Sequence, residues 1–262
     1  MSSVRILALG LAVSLGPAAR AQAPGPLAIA AASDLQSVLP LVAARFEHET
    51  SRPVNLTFGS SGNFYSQIQN GAPFDLFLSA DIDYPRRLEA AGLIEPGTLR
   101  PYAIGTLVLY APTDARLDLG RGLSVLTDGQ VRRIAIANPE HAPYGRAAVA
   151  ALTHERLYET LQGRLVLGES ISQAAQFVQS GNAQAGLLAL SLALGPALRA
   201  RGAYVEVPKA FYPTIEQAAV ILKASRHQDA ARAFLTFLRR PDTVQQLKDA
   251  GFLEPRPTAA AR

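Results

Sequence analysis

Short apolar runs alternate with amphipathic stretches along the chain from residue 27 onward. The runs are almost continuous in apolar residues, which is typical of strands covered on both faces. They predict strands at residues 27–32, 54–58, 76–79, 104–110, 134–137, 165–167, 185–190 and 218–222. The stretches between them predict helices at residues 35–49, 64–70, 85–91, 146–161, 171–180, 229–238 and 243–250. Strands that alternate with helices indicate an α/β fold with helices on both faces of a mostly parallel sheet.

The first segment has the pattern of a secretory signal rather than of a folded element. Arg5 precedes an apolar stretch at residues 6–15, and small residues follow it. Both Ala19-Arg20-Ala21 and Ala21-Gln22-Ala23 fit the small-x-small pattern of a signal-peptidase site. We therefore expect residues 1–23 to be a signal peptide that is cleaved on export.

Composition excludes several classes of function. The 262 residues include no cysteine, which rules out disulfides, thiolate metal sites and a cysteine nucleophile. The four histidines show none of the spacings typical of metal sites. The formal net charge is +4 and the sequence contains no block of basic residues, so it does not indicate binding to nucleic acid.

Four strand-to-helix loops share the same chemistry, since each leads through small or hydroxyl residues into a helix. They lie at residues 31–34, 59–63, 138–146 and 168–172. Such loops meet at the carboxyl ends of strands, where the free N–H groups of helix starts favour an anion. No phosphate-binding loop or G-x-G-x-x-G pattern is present, so a small oxyanion held by neutral donors fits better than a nucleotide. The alternative is that Ser33, Ser61 and Ser170 only cap their helices.

Six segments occur in an order and spacing that resemble the periplasmic molybdate-binding proteins of molybdenum ABC importers. The resemblance covers residues 27–253. The segments are AASDL at 31–35, FGSSG at 58–62, PFDLFLSAD at 73–81, NPEHAPYGRAA at 138–148, GNAQAG at 181–186 and PTIEQ at 213–217.

The resemblance implies a type II periplasmic binding protein with two α/β lobes. Each lobe is expected to hold a mostly parallel sheet flanked by helices, with crossover strands at about 104–110 and 217–222 joining them. The first lobe then comprises residues 24–104 and 220–262, and the second comprises residues 105–219.

The resemblance also implies the site. Molybdate or tungstate is expected between the lobes, held by hydroxyl and amide groups of Ser33 and Ser61 and by the N–H groups of Tyr144 and Ile171. These four residues belong to a metal site only in the sense that they contact the oxyanion that contains the metal. Gln217 aligns with a tyrosine donor of some family members, so either its amide substitutes or the fifth donor is absent. No cofactor and no catalytic residue are implied.

A periplasmic, monomeric receptor that delivers its oxyanion to a membrane permease is the function expected from this family. A ring composed only of donors disfavours phosphate, which is protonated near neutral pH and needs an acceptor. Sulfate has the same charge and shape as molybdate, so the size of the cavity must exclude it.

Two other functions are compatible with these loops. The same loops suit a receptor for sulfate, thiosulfate or a carboxylate, and Arg146 is the candidate to grip a carboxylate. A hydrolytic enzyme with a loop serine is the other class, but residues 168–172 lack the final glycine of G-x-S-x-G. Capping is the ordinary explanation for Asp81 and Asp83, which lie in a strand-to-helix turn, and Asp34 and Asp81 are also candidates for orienting the site loops.

Overall fold

Every predicted apolar run overlaps a strand in the computed structural model, which describes residues 25–255. The predicted signal segment, residues 1–23, lies outside the described residues. The strands are β1 (Leu27–Ala32), β2 (Val54–Gly59), β3 (Leu76–Ser79), β4 (Arg100–Gly105), β5 (Leu107–Pro112), β6 (Ile134–Ala137), β7 (Leu165–Gly168), β8 (Ala185–Ala189), β9 (Gly202–Glu206) and β10 (Ile215–Ile221).

Helices cover both faces of the sheets, as the alternation predicts. They are α1 (Leu39–Thr50), α2 (Ser61–Gln69), α3 (Asp83–Ala90), α4 (Pro143–His154), α5 (Tyr158–Leu161), α6 (Ile171–Gln179), α7 (Leu190–Ala193), α8 (Pro196–Arg199), α9 (Gln228–Leu238) and α10 (Pro241–Asp249). Short 3₁₀ helices lie at Ser33–Ser37, Thr113–Ala115, Leu119–Thr127, Gln162–Arg164 and Lys209–Phe211. Of the described helices, none is both long and apolar enough to cross a bilayer.

The strands form two five-stranded sheets with the same arrangement, which confirms the two-lobe α/β fold. The first has the order β2-β1-β3-β10-β4, and the second has the order β7-β6-β8-β5-β9. In each sheet the first three strands are parallel, and the fourth strand, β10 or β5, runs antiparallel to both of its neighbours. The sheets are therefore mixed, because the strands next to the crossovers enter from the opposite lobe.

The chain crosses between the sheets at two places. Thr106 alone separates β4 from β5, so the predicted strand at 104–110 is divided between two sheets. The second crossing is the segment between β9 and β10, where the hydroxyl of Tyr212 accepts a hydrogen bond from the Leu107 amide at 3.1 Å. This hydrogen bond thus links the two crossings. The lobe boundaries at residues 105 and 219 stay a prediction.

Two further differences from the predicted elements have local causes. The predicted helix at 146–161 is interrupted after α4, where Arg156 adopts a left-handed backbone with φ of 58°. The apolar pattern does not predict strand β9, because none of its residues is buried at this edge of the second sheet. It pairs only with β5, so one of its faces and one of its edges remain near solvent.

Candidate functional site

Four helix starts, two from each lobe, meet between the sheets at one cavity. Ser33 begins the 3₁₀ helix after β1, and Ser61 is the first residue of α2. Tyr144 is the second residue of α4, and Ile171 is the first residue of α6. The N–H groups of a first helical turn have no acceptor within the helix, so these segments direct free donors into the same space.

The cavity is small and is lined mainly by small or neutral residues. Its free volume is about 10 Å³ when measured as space for the centre of a water molecule, which is close to the smallest volume that holds one water. The lobes therefore stand in a closed arrangement. The lining residues are Ala32, Ser33, Asp34, Gly59, Ser60, Ser61, Ala80, Ala142, Pro143, Tyr144 and Ile171.

The two lining serines predicted as ligand contacts have hydroxyls that are already oriented. The Ser61 Oγ accepts a hydrogen bond from the Ala80 amide at 2.9 Å, and the Ser33 Oγ accepts one from the Ser172 amide at 3.3 Å. Within residues 25–255 neither hydroxyl donates to a protein acceptor. Because a hydroxyl carries one hydrogen, each serine keeps a donor for an acceptor in the cavity.

Helix capping is carried out by other serines than these two. Ser60 caps α2 by accepting from the Asn63 amide, and Ser170 caps α6 by accepting from the Gln173 amide, each at 3.3 Å. The capping interpretation therefore applies to Ser170 but not to Ser33 or Ser61. The Ser170 hydroxyl also lies 3.0 Å from the Ser172 hydroxyl, which does not match the serine of a hydrolase, since a nucleophile needs an adjacent base.

Gln217 does not line the cavity with the other four predicted residues. It is fully buried on β10, where its Nε2 donates to the Asp34 Oδ2. Its Oε1 accepts from the Tyr102 hydroxyl at 2.6 Å. Both ends of the amide are therefore engaged, and the side chain holds Asp34 from behind.

Asp34 is a cavity-lining residue that sequence reasoning assigned only to orienting a loop. Its side chain is completely buried, and burial raises its pKa from 3.8 to about 6 despite hydrogen bonding by Gln217 and Tyr144. Its Oδ1 has no partner with hydrogen-bond geometry in the described part of the chain. A buried acid therefore lies next to the neutral groups that line the cavity. In the sequence, the feature that indicates this placement is the position of Asp34 directly after a buried strand and Ser33.

Tyr144 contributes an amide to the cavity while its ring packs into the crossover. A Cβ on Gly105 would lie 2.2 Å from the Tyr144 hydroxyl, so the last residue of β4 has to be glycine for the ring to fit. The hydroxyl also faces Asp34, and burial raises the pKa of Tyr144 well above its usual range. The phenol therefore stays neutral.

Direct contacts hold the lobes together beside the cavity. The Gly62 amide of α2 donates to the His141 carbonyl of the second lobe at 2.9 Å. Arg146 on α4 forms an ion pair with Asp81 of the first lobe and donates to the Tyr84 hydroxyl at 3.2 Å. Arg146 therefore bridges the lobes and does not line the cavity. It is not placed to bind the carboxylate of a ligand there.

We expect Arg146→Ala to weaken ligand binding only about two- to five-fold, because ion pairs at exposed positions contribute about 0.2–1 kcal/mol. The pair is partly exposed, at 40% for Arg146 and 25% for Asp81. The difference from the unchanged protein should shrink at high salt, which screens exposed charges. Titration calorimetry at low and high salt checks this, and a loss that salt leaves unchanged would contradict the bridging role.

Metal chelation is not supported by the side chains. Among the residues described, no group of three or more His, Cys, Asp or Glu side chains is placed to hold a metal ion. Asp81 Oδ1 accepts from the backbone amide of Asp83 at 2.8 Å, so the Asp81 carboxylate shapes the turn before α3, and the Asp83 carboxylate pairs with Arg86. The cavity is suited to a ligand that accepts hydrogen bonds.

Comparison with known proteins finds similarity over nearly the whole chain. Residues 27–253 match the family described as bacterial extracellular solute-binding protein. The chain is 38% identical over 251 residues to the molybdate-binding protein ModA of Rhodobacter capsulatus, covering 96% of this chain and 97% of that protein. It is 38% identical over 244 residues to ModA of Azotobacter vinelandii, covering 93% and 96%.

A solved structure gives the same result for the fold. The periplasmic molybdate-binding protein of Azotobacter vinelandii superimposes with a TM-score of 0.82 at 36% identity, covering 88% of this chain and 100% of that one. The resemblance inferred from the motifs is thus confirmed. These similar proteins are binding proteins by name, which supports a binding protein over an enzyme.

Proposed function

Because the chain belongs to the bacterial extracellular solute-binding proteins, we propose that it captures molybdate between its lobes for an ABC importer. The observation that carries this proposal is the convergence of four helix starts, from both lobes, on one enclosed cavity. The names of its relatives support molybdate as the ligand. Tungstate, which has the same charge and shape, is proposed as a second ligand.

The proposed contacts are the hydroxyls and amides of Ser33 and Ser61 and the amides of Tyr144 and Ile171. A dianion that leaves water loses strong hydration, and several fixed N–H and O–H dipoles must offset this loss. The accepted hydrogen bonds at both serine oxygens support the proposal, since they turn the hydroxyl hydrogens toward an acceptor. We assign Gln217 to positioning Asp34 rather than to contact with the ligand.

Binding is coupled to closure because the proposed contacts come from both lobes. A ligand shifts an equilibrium between open and closed forms only by binding one form more tightly. In the open form the oxyanion meets two of the four helix starts, and in the closed form it meets all four. An oxyanion with four oxygens is larger than one water, so the bound form must stand slightly wider than the cavity described here.

The remaining parts of the proposal concern delivery. The closed form is the one that the membrane permease is proposed to recognise, since only that form presents both lobes in a fixed arrangement. We propose that the protein acts in the periplasm as a monomer, after removal of residues 1–23.

The experiment is a calorimetric titration of protein that has been freed of bound anion by unfolding and refolding. Molybdate, tungstate, sulfate and phosphate are compared under the same conditions. We expect tight binding of molybdate and tungstate and weaker binding of the other two. Tight binding of sulfate with no response to molybdate would contradict the proposal and favour a sulfate or thiosulfate receptor. Elemental analysis of the released anion checks that it leaves the protein unchanged.

A further inference from the structure

The 3₁₀ helix at Ser33–Ser37 carries the proposed ligand contact Ser33 and is called the Ser33 helix below. It spans five residues after β1 of the first sheet, and within the described chain no side chain caps its first turn. A 3₁₀ helix has poorer hydrogen-bond geometry than an α-helix, and runs of this length are uncommon. The position of Ser33 therefore depends on what contacts this helix from outside.

The second lobe supplies hydrogen bonds along the whole Ser33 helix. The Ser191 hydroxyl on α7 donates to the carbonyl oxygen of Asp34 at 2.7 Å, and the Ser37 hydroxyl donates to the carbonyl oxygen of Ser191 at 3.0 Å. At the other end of the helix, the Ser172 amide of α6 donates to the Ser33 hydroxyl oxygen at 3.3 Å. Ser191 is only 2% exposed, so its hydrogen bond is shielded from water. Ser37 and Ser191 thus join the lobes reciprocally.

Helix α7 lies where the chain passes between the lobes. It follows β8 of the second sheet directly, and its first amide, that of Leu190, donates to the carbonyl oxygen of Thr106 at 2.9 Å. Thr106 is the residue that separates β4 from β5. Leu190 also packs on the turn after α10, where a Cβ on Gly251 would lie 2.8 Å from its Cγ. Helix α7 is thus fixed at the crossover and packed against the first lobe.

The two proposed serine contacts differ in what orients them. Ser61 accepts from the amide of Ala80, which directly follows β3 of the same lobe. Ser33 accepts from Ser172 of the opposite lobe, and the helix that carries it is held by Ser191 of the opposite lobe. The orientation of Ser61 is therefore independent of closure, whereas that of Ser33 depends on it.

Resting on the function proposed above, we propose that Ser191 is a positioning residue for ligand capture, which fixes from the second lobe the helix that carries Ser33 on the first. It lies outside the ring of lining residues and acts through the Ser33 helix. The open first lobe then offers Ser61 as a ready donor, and Ser33 completes the site on closure. The protein itself thereby couples closure to the last ligand contact.

The first test is Ser191→Ala, measured by calorimetric titration with molybdate. We expect the affinity to fall about threefold to tenfold, which is the effect of losing one buried hydrogen bond from the closed form. Denaturant unfolding without ligand checks that the variant folds. Ser37→Ala removes the other half of the reciprocal pair from the first lobe and should weaken binding in the same direction. Full affinity in both variants would overturn this inference.

A double-mutant cycle with Ser33→Ala distinguishes positioning from a merely structural role. If Ser191 acts through Ser33, the two changes are coupled and their losses do not add. We expect Ser191→Ala to weaken molybdate binding at most about twofold when Ser33 is already alanine. An equal fold-loss in the presence and absence of the Ser33 hydroxyl would overturn the proposal.

Thr98→Val is the matched control, because it also removes a buried hydroxyl that donates to a carbonyl. Thr98 Oγ1 donates to the Glu95 carbonyl oxygen at 2.7 Å, and both residues belong to the first lobe. We expect this variant to be less stable without ligand and to bind molybdate as the unchanged protein does. A loss of affinity as large as that of Ser191→Ala would mean that affinity follows general stability, against the proposal. Absence of molybdate binding by the unchanged protein would instead overturn the proposed function.

Discussion

Replacing both Ser33 and Ser61 with alanine is expected to weaken molybdate binding by between about 10² and 10⁴. A hydrogen bond to a charged group contributes about 1.5–3 kcal/mol. Because both serines are proposed to contact the same anion, the sum of the two single losses sets the upper end of this range. Each alanine removes one O–H donor that has no other acceptor in the described chain. Titration calorimetry of the double variant and of both single variants measures the loss.

Loss of folding must be separated from loss of contact in that experiment. Ser61→Ala also leaves the Ala80 amide without its acceptor, so we expect lower stability without ligand and measure it by denaturant unfolding. The matched control replaces Ser124 and Ser180, whose hydroxyls are exposed and donate to carbonyls of their own helical turns. If the Ser33 and Ser61 pair binds as tightly as this control, the two serines only shape their loops.

The position of the site could be predicted because it depends on local pattern and on one topological rule. Each of the four proposed contact residues lies after a predicted strand and at the start of a helix. They are Ser33, Ser61, Tyr144 and Ile171. Carboxyl ends of neighbouring parallel strands meet at one edge, so the four helix starts had to converge once the two lobes faced each other. Hydrophobic periodicity predicts this convergence of the loops, whereas the choice of the four residues as ligand contacts rests on the resemblance to the family and stays a prediction.

Contacts between distant segments could not be predicted in the same way. Ser60 and Ser61 are adjacent, chemically identical and both line the cavity. They differ in the amide that their hydroxyls accept from: Asn63 for the capping Ser60 and Ala80, nineteen residues away, for Ser61. Gln217 was assigned by alignment to the ligand, but its partner is Asp34, 183 residues away along the chain. The burial of Asp34 depends on elements from both lobes and has no signature in the local sequence.

Gly62→Ala is expected to weaken molybdate binding on the order of tenfold to a hundredfold by preventing closure. A Cβ on Gly62 would lie 2.6 Å from the carbonyl oxygen of His141 and 2.8 Å from its Cα. His141 belongs to the opposite lobe and presents backbone, which cannot move aside as a side chain can. Overpacking of this kind costs about 1–3 kcal/mol. The Cβ would also lie 2.7 Å from the hydroxyl of Tyr84 in the same lobe, but that is the end of a side chain, which can shift. Because the clash with the backbone exists only when the lobes meet, most of the cost falls on closure and not on the folding of either lobe.

Gly163→Ala is the matched control for this prediction, since a Cβ there meets nothing within 4 Å. It should bind molybdate as the unchanged protein does. Small-angle scattering with saturating molybdate should show a larger radius of gyration for Gly62→Ala than for the control, while denaturant unfolding without ligand should be alike for both. Loss of affinity with a fully compact ligand-bound form would mean that Gly62 acts through its amide contact with His141. Equal affinity in both variants would show that ligand capture does not require the lobes to close as tightly as they do in this arrangement.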